Sequence, residues 1–119
     1  MRAENGGPMN RRETSRVVRV LQFKRINRGV TAIDRKIDSR KLLGELERLE
    51  IDVKHMKCRV FEKGKVLMYY NDCFNKAPTI KVGNQIYRGS VVFLHIDGNA
   101  AWDLTVNQIK HIRAAVKRL

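Results

Sequence analysis

Lys110, Arg113 and Lys117 recur at i, i+3 and i+7 near the end of the chain, a spacing that sets three cations on one face of a helix. Cations in that arrangement can track successive phosphates, each contact adding to a salt-dependent affinity. A solvated helix face has the same pattern, so the weight falls on whether other cations join it. Two further groups are available. Lys57 and Arg59 alternate with Met56, Cys58 and Val60, which gives a strand one basic and one apolar face. Arg11 and Arg12 belong to a basic N-terminal arm, with Arg16 following and Arg19 in the first strand. These nine residues are the candidate phosphate contacts. Tyr69 and Tyr70 are the candidate stacking residues, because neighbours in a strand point to opposite faces and one of them is then free to meet a base.

Other chemistries find less support. His55, His95 and His111 are not grouped with cysteines or carboxylates at ligand spacings, so neither a metal site nor a cofactor is expected. His95 falls in an apolar strand and reads as a hydrogen-bonded core residue. His55 and Cys58 at i, i+3 in a strand would face opposite ways, which argues against a nucleophile and base pair. Asp97 and Asp103 bracket a short loop and fit turn and capping roles. Trp102 reads as a packing anchor. With no nucleophile elbow, phosphate-binding loop or zinc-protease helix in the sequence, no catalytic residue is assigned and the expectation is a protein that is not an enzyme.

The charge balance supports the same direction. Twenty-five Lys and Arg against twelve Asp and Glu leave +13 on 119 residues. Self-repulsion of that size opposes folding and points to an anionic partner, of which phosphate backbones carry the densest charge. The 43% hydrophobic content allows a packed core. Cys58 and Cys73 follow no signal-peptide pattern and read as reduced core thiols, giving a cytoplasmic expectation. No apolar run is long enough to span a membrane, so no membrane partner is expected.

The elements that must position these residues follow from pattern. Residues 1–15 read as a flexible basic tail and 16–119 as a single α+β domain. Val17–Lys24 and Val30–Ile37 predict a hairpin turning at Asn27–Gly29. Ser39 is placed as the N-cap of a helix from Arg40 to about Glu50, with Leu42, Leu46 and Leu49 inward. Met56–Val60 and Val66–Tyr70 predict a second hairpin, turning around Gly64. Ile80–Val82 and Gln85–Arg88 form a small excursion. Ser90–Ile96 is apolar on both faces and therefore central in its sheet. Thr105 and Gln108 have the spacing of a capping box, Leu104 and Ile109 that of a hydrophobic staple, and the helix they open is expected to run to Leu119. The sum is a mostly antiparallel sheet of about five strands packed by two helices. Exposed edge strands leave a homodimer open.

Three stretches carry a family likeness: Tyr70-Asn71-Asp72, then Ile86 through Phe93 (IYRGSVVF), then Leu104 through Gln108 (LTVNQ). Over the second half of the chain this resembles small phage and mobile-element proteins grouped as a domain of unknown function. The resemblance implies a bacterial or phage cytosolic setting and no known reaction. The leading functional expectation is a non-enzymatic nucleic-acid-binding accessory protein whose partner is RNA or DNA, held by its backbone. The alternatives are a phage-type effector docked on an acidic surface of a host protein, and a protein that binds or acts on a phosphorylated small molecule.

Overall fold

A computed structural model describes residues 16–63 and 65–119. Arg11 and Arg12 of the expected arm, and Gly64 of the second hairpin turn, lie outside the described residues. Val17–Ile26 (β1) and Gly29–Asp38 (β2) form the first hairpin. At its turn Asn27 takes φ +57, a conformation that Asn tolerates better than most residues. Met56–Glu62 (β3) and Val66–Asn71 (β4) form the second. Val91–Asp97 (β7) lies between the two hairpins, pairing antiparallel with β1 on one side and β4 on the other. The strand order is therefore β2-β1-β7-β4-β3. Ala100–Trp102 (β8) turns back at Gly98, φ +68, and pairs with the end of β7 as a sixth strand.

The central position of β7 follows from its composition. Val91 and Phe93 point to one face and Val92 and Leu94 to the other, and all four are buried. A strand buried on both faces needs a layer on each side. On one side Val18, Val20, Ile37, Tyr69, Val92 and Leu94 pack beneath Leu46 of the helix Leu42–Arg48 (α1) and Leu49 and Ile51, which follow it. On the other side Leu21, Phe23, Met68 and Phe93 meet Ile80, Tyr87, Leu104, Ile112 and Val116. The second layer consists of Val106–Ala115 (α2) and a separate three-stranded sheet of Pro78–Val82 (β5), Gln85–Arg88 (β6) and Val116–Arg118 (β9), in the order β9-β5-β6.

The α+β class and the antiparallel pairing agree with the sequence reading, and the strand count does not. Nine strands occur among the described residues, where about five were expected. The excursion at Ile80–Arg88 is a hairpin outside the main sheet, and the two shortest strands, β8 and β9, are too short to show an alternation. The first helix is also shorter than expected. Asp38 is the cap in place of Ser39: its carboxylate accepts from Arg40 N at 3.0 Å, above the 3-10 turn Ser39–Lys41. Glu50 ends α1 at φ +72, and Ile51 N–H turns back to Leu46 O at 3.0 Å, a left-handed stop more often occupied by glycine. Leu43 is left exposed.

The second helix opens as its sequence predicts. Gln108 N donates to Thr105 Oγ1 at 3.1 Å, and Thr105 N donates to Gln108 Oε1 at 2.9 Å. It does not reach Leu119. Val116 is extended at φ −93, ψ 125, and β9 pairs Val116 with Val82 and Lys117 with Lys81. Lys117 thus leaves the helical stripe, and the three-cation helix face reduces to Lys110 and Arg113.

Candidate nucleic-acid interface

Lys57 and Arg59 lie on the edge strand β3, opposite Tyr70 and Met68 of β4. Their face of the sheet is the one that the small sheet covers, so both residues look toward β6. Between β3, the end of β4 and β6 lies a cleft of about 390 Å³. Its wall carries Lys57, Arg59 and Tyr70 on one side and Ile86, Tyr87 and Arg88 on the other. Tyr70 and Tyr87 meet edge to face with ring centroids 4.7 Å apart, and Arg59 Nη1 donates to Tyr87 Oη at 3.2 Å. Phe74, from the loop between β4 and β5, lines the same cleft and is 88% exposed.

The loop that carries Phe74 is tied at both ends. Asn71 is bound to Asp52 by two hydrogen bonds: its Oδ1 accepts from Asp52 N at 2.8 Å, and its Nδ2 donates to Asp52 O at 2.7 Å. Arg88 Nη1 donates to Lys76 O at 3.0 Å, and Gly89 N to Ala77 O at 3.3 Å. Gly89 has φ +71, with Lys76 carbons 3.6–3.9 Å from where a Cβ would stand, so backbone conformation and loop placement depend on each other there.

Five of the described lysines and arginines pair with acids, and none of the five lines this cleft. Arg19 pairs with Asp34 at 3.5 Å, Arg40 with Asp38 at 2.7 Å, Arg48 with Glu45 at 2.7 Å, Lys65 with Asp97 at 2.9 Å, and Lys24 with Glu50. Lys57, Arg59 and Arg88 have no carboxylate partner among the described residues, and Asp72 is the one acid in the cleft wall. Lys117 and Lys81 oppose each other across β9 and β5, a like-charge pair that no acid in the ladder offsets.

The expected contact residues do not share one site. Lys57 and Arg59 are together, and Tyr70 is with them. Tyr69 points through the opposite face into the core under α1. Burial, followed by the Cys58 thiol beside it, pushes its phenol up to about 12. Arg16 lies 4.6 Å over the Trp102 ring and donates to Ala101 O at 3.1 Å, so it clamps β8 rather than standing free. Trp102 is 45% exposed beneath it, so the packing it anchors is that of Arg16 at the surface. Lys110 and Arg113 are exposed on α2. His111, on the same helix, packs toward β3 with its ring 5.3 Å from Phe61. Arg113, two residues further and about 200° round the helix, is on the flank away from Lys57 and Arg59.

The other titratable groups have local roles. Cys58 is exposed and Cys73 half-buried, both free thiols, so neither belongs to the core as expected. Edge strand β3 leaves Cys58 and Val60 beyond the reach of α1. His55 sits in a 3-10 turn rather than a strand, with Nδ1 2.9 Å from Asp52. His95 is half-buried, with Nδ1 2.9 Å from Asp103 O, and it does not line the cleft. No group of three metal-ligating side chains occurs among the described residues, and no helix there is long and apolar enough to cross a membrane.

Sequence reasoning missed Phe74 and Arg88. Arg88 alternates with Ile86 in a short strand, and its relation to β3 depends on how the small sheet docks. Phe74 stands alone in a polar loop, and only its exposure distinguishes it. Comparison with protein-family models, with curated proteins and with solved structures returns no match for this chain, so any functional reading has to be argued from the cleft itself.

Proposed function

We propose that the protein is a non-enzymatic nucleic-acid-binding accessory protein that holds a phosphate backbone in the cleft of Lys57, Arg59 and Arg88. The observation that carries the reading is the convergence of these three cations, none with a carboxylate partner among the described residues, on one cleft that also holds Tyr70 and Tyr87. Converging unpaired cations repel one another, and a bound polyanion relieves that repulsion while releasing its own counterions. Tyr70 and Tyr87 give the cleft an aromatic floor of the kind that accompanies backbone contacts in nucleic-acid grooves. Lys110 and Arg113 are a second, separate cationic surface that a longer polynucleotide can reach.

The test is affinity for RNA and DNA oligonucleotides over a salt series with nuclease-treated protein. Three phosphate contacts correspond to a log–log slope of about −2 to −3. Lys57→Ala and Arg59→Ala are each expected to flatten it by about 1, in protein whose circular dichroism is unchanged. Absence of binding to any polynucleotide at moderate salt rejects the reading. Loss of binding on reversing Lys110, Arg113 and Lys117, with Lys57→Ala and Arg59→Ala silent, moves the interface away from the cleft.

A second reading has one observation in its favour: Ile86 is 50% exposed at the cleft wall, which suits an acidic protein surface with an apolar centre. It is the phage-type effector that the family resemblance suggests. One host protein recovered from a nuclease-treated lysate, together with silence in the oligonucleotide titration, selects it.

A further inference from the structure

A second cleft, of about 190 Å³, adjoins the first. It is lined by Lys24 paired with Glu50, and by Arg25 and Lys76 among others, and it shares Asn71 and Cys73 with the first cleft. The segment from Asn71 to Phe74 is therefore the partition between two cationic hollows. We propose that this partition is a stacking ridge for single-stranded nucleic acid, with Phe74 against a base and a phosphate in the cleft on each side. The proposal rests on the backbone-binding reading above and adds the strandedness of the ligand and the residue that selects it.

A single exposed apolar side chain is ordinary on a protein surface, so Phe74 alone would signify nothing. Its setting is what matters. The loop is anchored by Asn71 at one end and by Arg88 and Gly89 at the other. The ring is thus held out at 88% exposure by a backbone that is already ordered, and binding has little loop entropy left to lose. Phe74 is not among the side chains packed on either core cluster. Both hollows beside it carry cations, the second with Lys76 and with Arg25, whose guanidinium donates to the main-chain oxygens of Pro78 at 2.7 Å and Leu119 at 3.0 Å.

Duplex geometry does not match this arrangement. In a duplex the base faces are stacked on one another and unavailable to a side chain at the surface, while the backbones present a broad convex front. The larger hollow, about 390 Å³, is of the size that encloses small ligands, and the second, about 190 Å³, is smaller still. In a single strand each base exposes a π-face and the backbone can dip on either side of a ridge. Stacking on an aromatic ring is tolerant of base identity, so the ridge selects for strandedness with little sequence preference.

The experiment is fluorescence anisotropy with labelled oligo-U, oligo-dT and a mixed-sequence duplex of matched length, using wild-type protein, Phe74→Ala and Phe74→Tyr. Wild type is expected to prefer single strands over duplex by about tenfold or more. Phe74→Ala should weaken single-strand binding by roughly tenfold, within the range of one base–aromatic stack, without changing the salt slope, whereas Phe74→Tyr should retain affinity. The exposed position makes all three proteins equally foldable, and thermal melts check that. Oligo-U against oligo-dT distinguishes RNA from DNA as the source of the strand. Equal affinity for duplex and single strand, or wild-type affinity in Phe74→Ala, overturns the ridge and leaves the backbone reading standing. Failure of wild type to bind any of the three overturns both.

Discussion

The two ends of the central sheet differ in where ion pairs form, although Arg28, Arg35, Lys36 and Lys41 at the first end have no acid partner among the described residues and Asp72 lines the cleft at the other. Around α1 and the first hairpin, acids stand beside bases: Asp34, Asp38, Glu45 and Glu50 each pair with an arginine or lysine. The hydrogen bonds from Arg40 hold the Asp38 carboxyl down at about 2. Glu45 is lowered by the Asp38 N–H and then by Arg48. Even the half-buried Arg35 is used internally, donating to Gln22 Oε1 at 2.9 Å. At the other end, around β3, β6 and the Asn71–Pro78 loop, Lys57, Arg59 and Arg88 have aromatic rings and carbonyls for neighbours. On the proposed reading, it is the convergence of Lys57, Arg59 and Arg88 at one cleft that sets this end apart.

Reversing charge at both ends is the strongest way to break this comparison. Lys57→Glu with Arg59→Glu removes two phosphate contacts and adds two repulsions, and is expected to weaken polynucleotide binding on the order of 100-fold at moderate salt. Arg40→Glu with Arg48→Glu changes the total charge by the same amount. There the exchanged charges lie outside the cleft, and affinity is expected to fall by less than about threefold, by long-range screening alone. Equal losses in the two double variants would mean that net charge, not its placement, governs binding.

A smaller effect is expected from Gln22, which lets the paired end be probed without changing charge. Gln22 is fully buried. Its Nε2 donates to Leu49 O and to Ser90 Oγ, both at 2.8 Å, and Ser90 Oγ donates to Leu49 O at 2.6 Å. This network ties the end of α1 to β1 and the start of β7. Gln22→Ala strips Arg35 of its partner and opens a cavity, at a cost of about 2 kcal/mol in unfolding free energy. Chemical denaturation measures it. The oligonucleotide salt slope should stay unchanged, since Arg35 lies outside the cleft. A steeper slope would show that an arginine released from its internal partner can join the interface.

The differing legibility of the two ends has the same physical origin. The β-branched and aromatic run of β1, the run of β7 that is apolar on both faces, the capping box at Thr105 and the turn at Asn27 are local patterns, and the sequence shows them directly. The small sheet is not local. Val116–Arg118 pairs with Ile80–Val82 across more than thirty residues, and against that tertiary pairing the helical period of Ile109, Ile112 and Val116 gives way after Ala115. Lys57 and Arg59 are readable as a basic strand face from alternation alone. Their convergence with Arg88 and Phe74 depends on the docking of that small sheet. The internal use of Arg16, over Trp102, likewise depends on β8, a strand of three residues with no pattern of its own.

The smallest effect concerns proton binding at the paired end. Asp38 is held at about 2 in the folded chain against a reference of 3.8, so its folded pKa is depressed. The stabilisation from the Asp38–Arg40 contact is therefore present in full above about pH 4 and is lost as the pH falls toward 2. Because the pair is open to solvent, its share in global stability is small, and a site-resolved carboxyl titration by NMR is the suitable measurement. Wild type should show the Asp38 midpoint near 2, and Arg40→Gln should return it toward 3.8 while leaving oligonucleotide affinity at neutral pH unchanged. A wild-type midpoint already near 3.8 would mean that Arg40 is not engaged in solution. Arg40 would then join the unpaired cations, and the contrast between the two ends would weaken at the position where it is most sharply drawn.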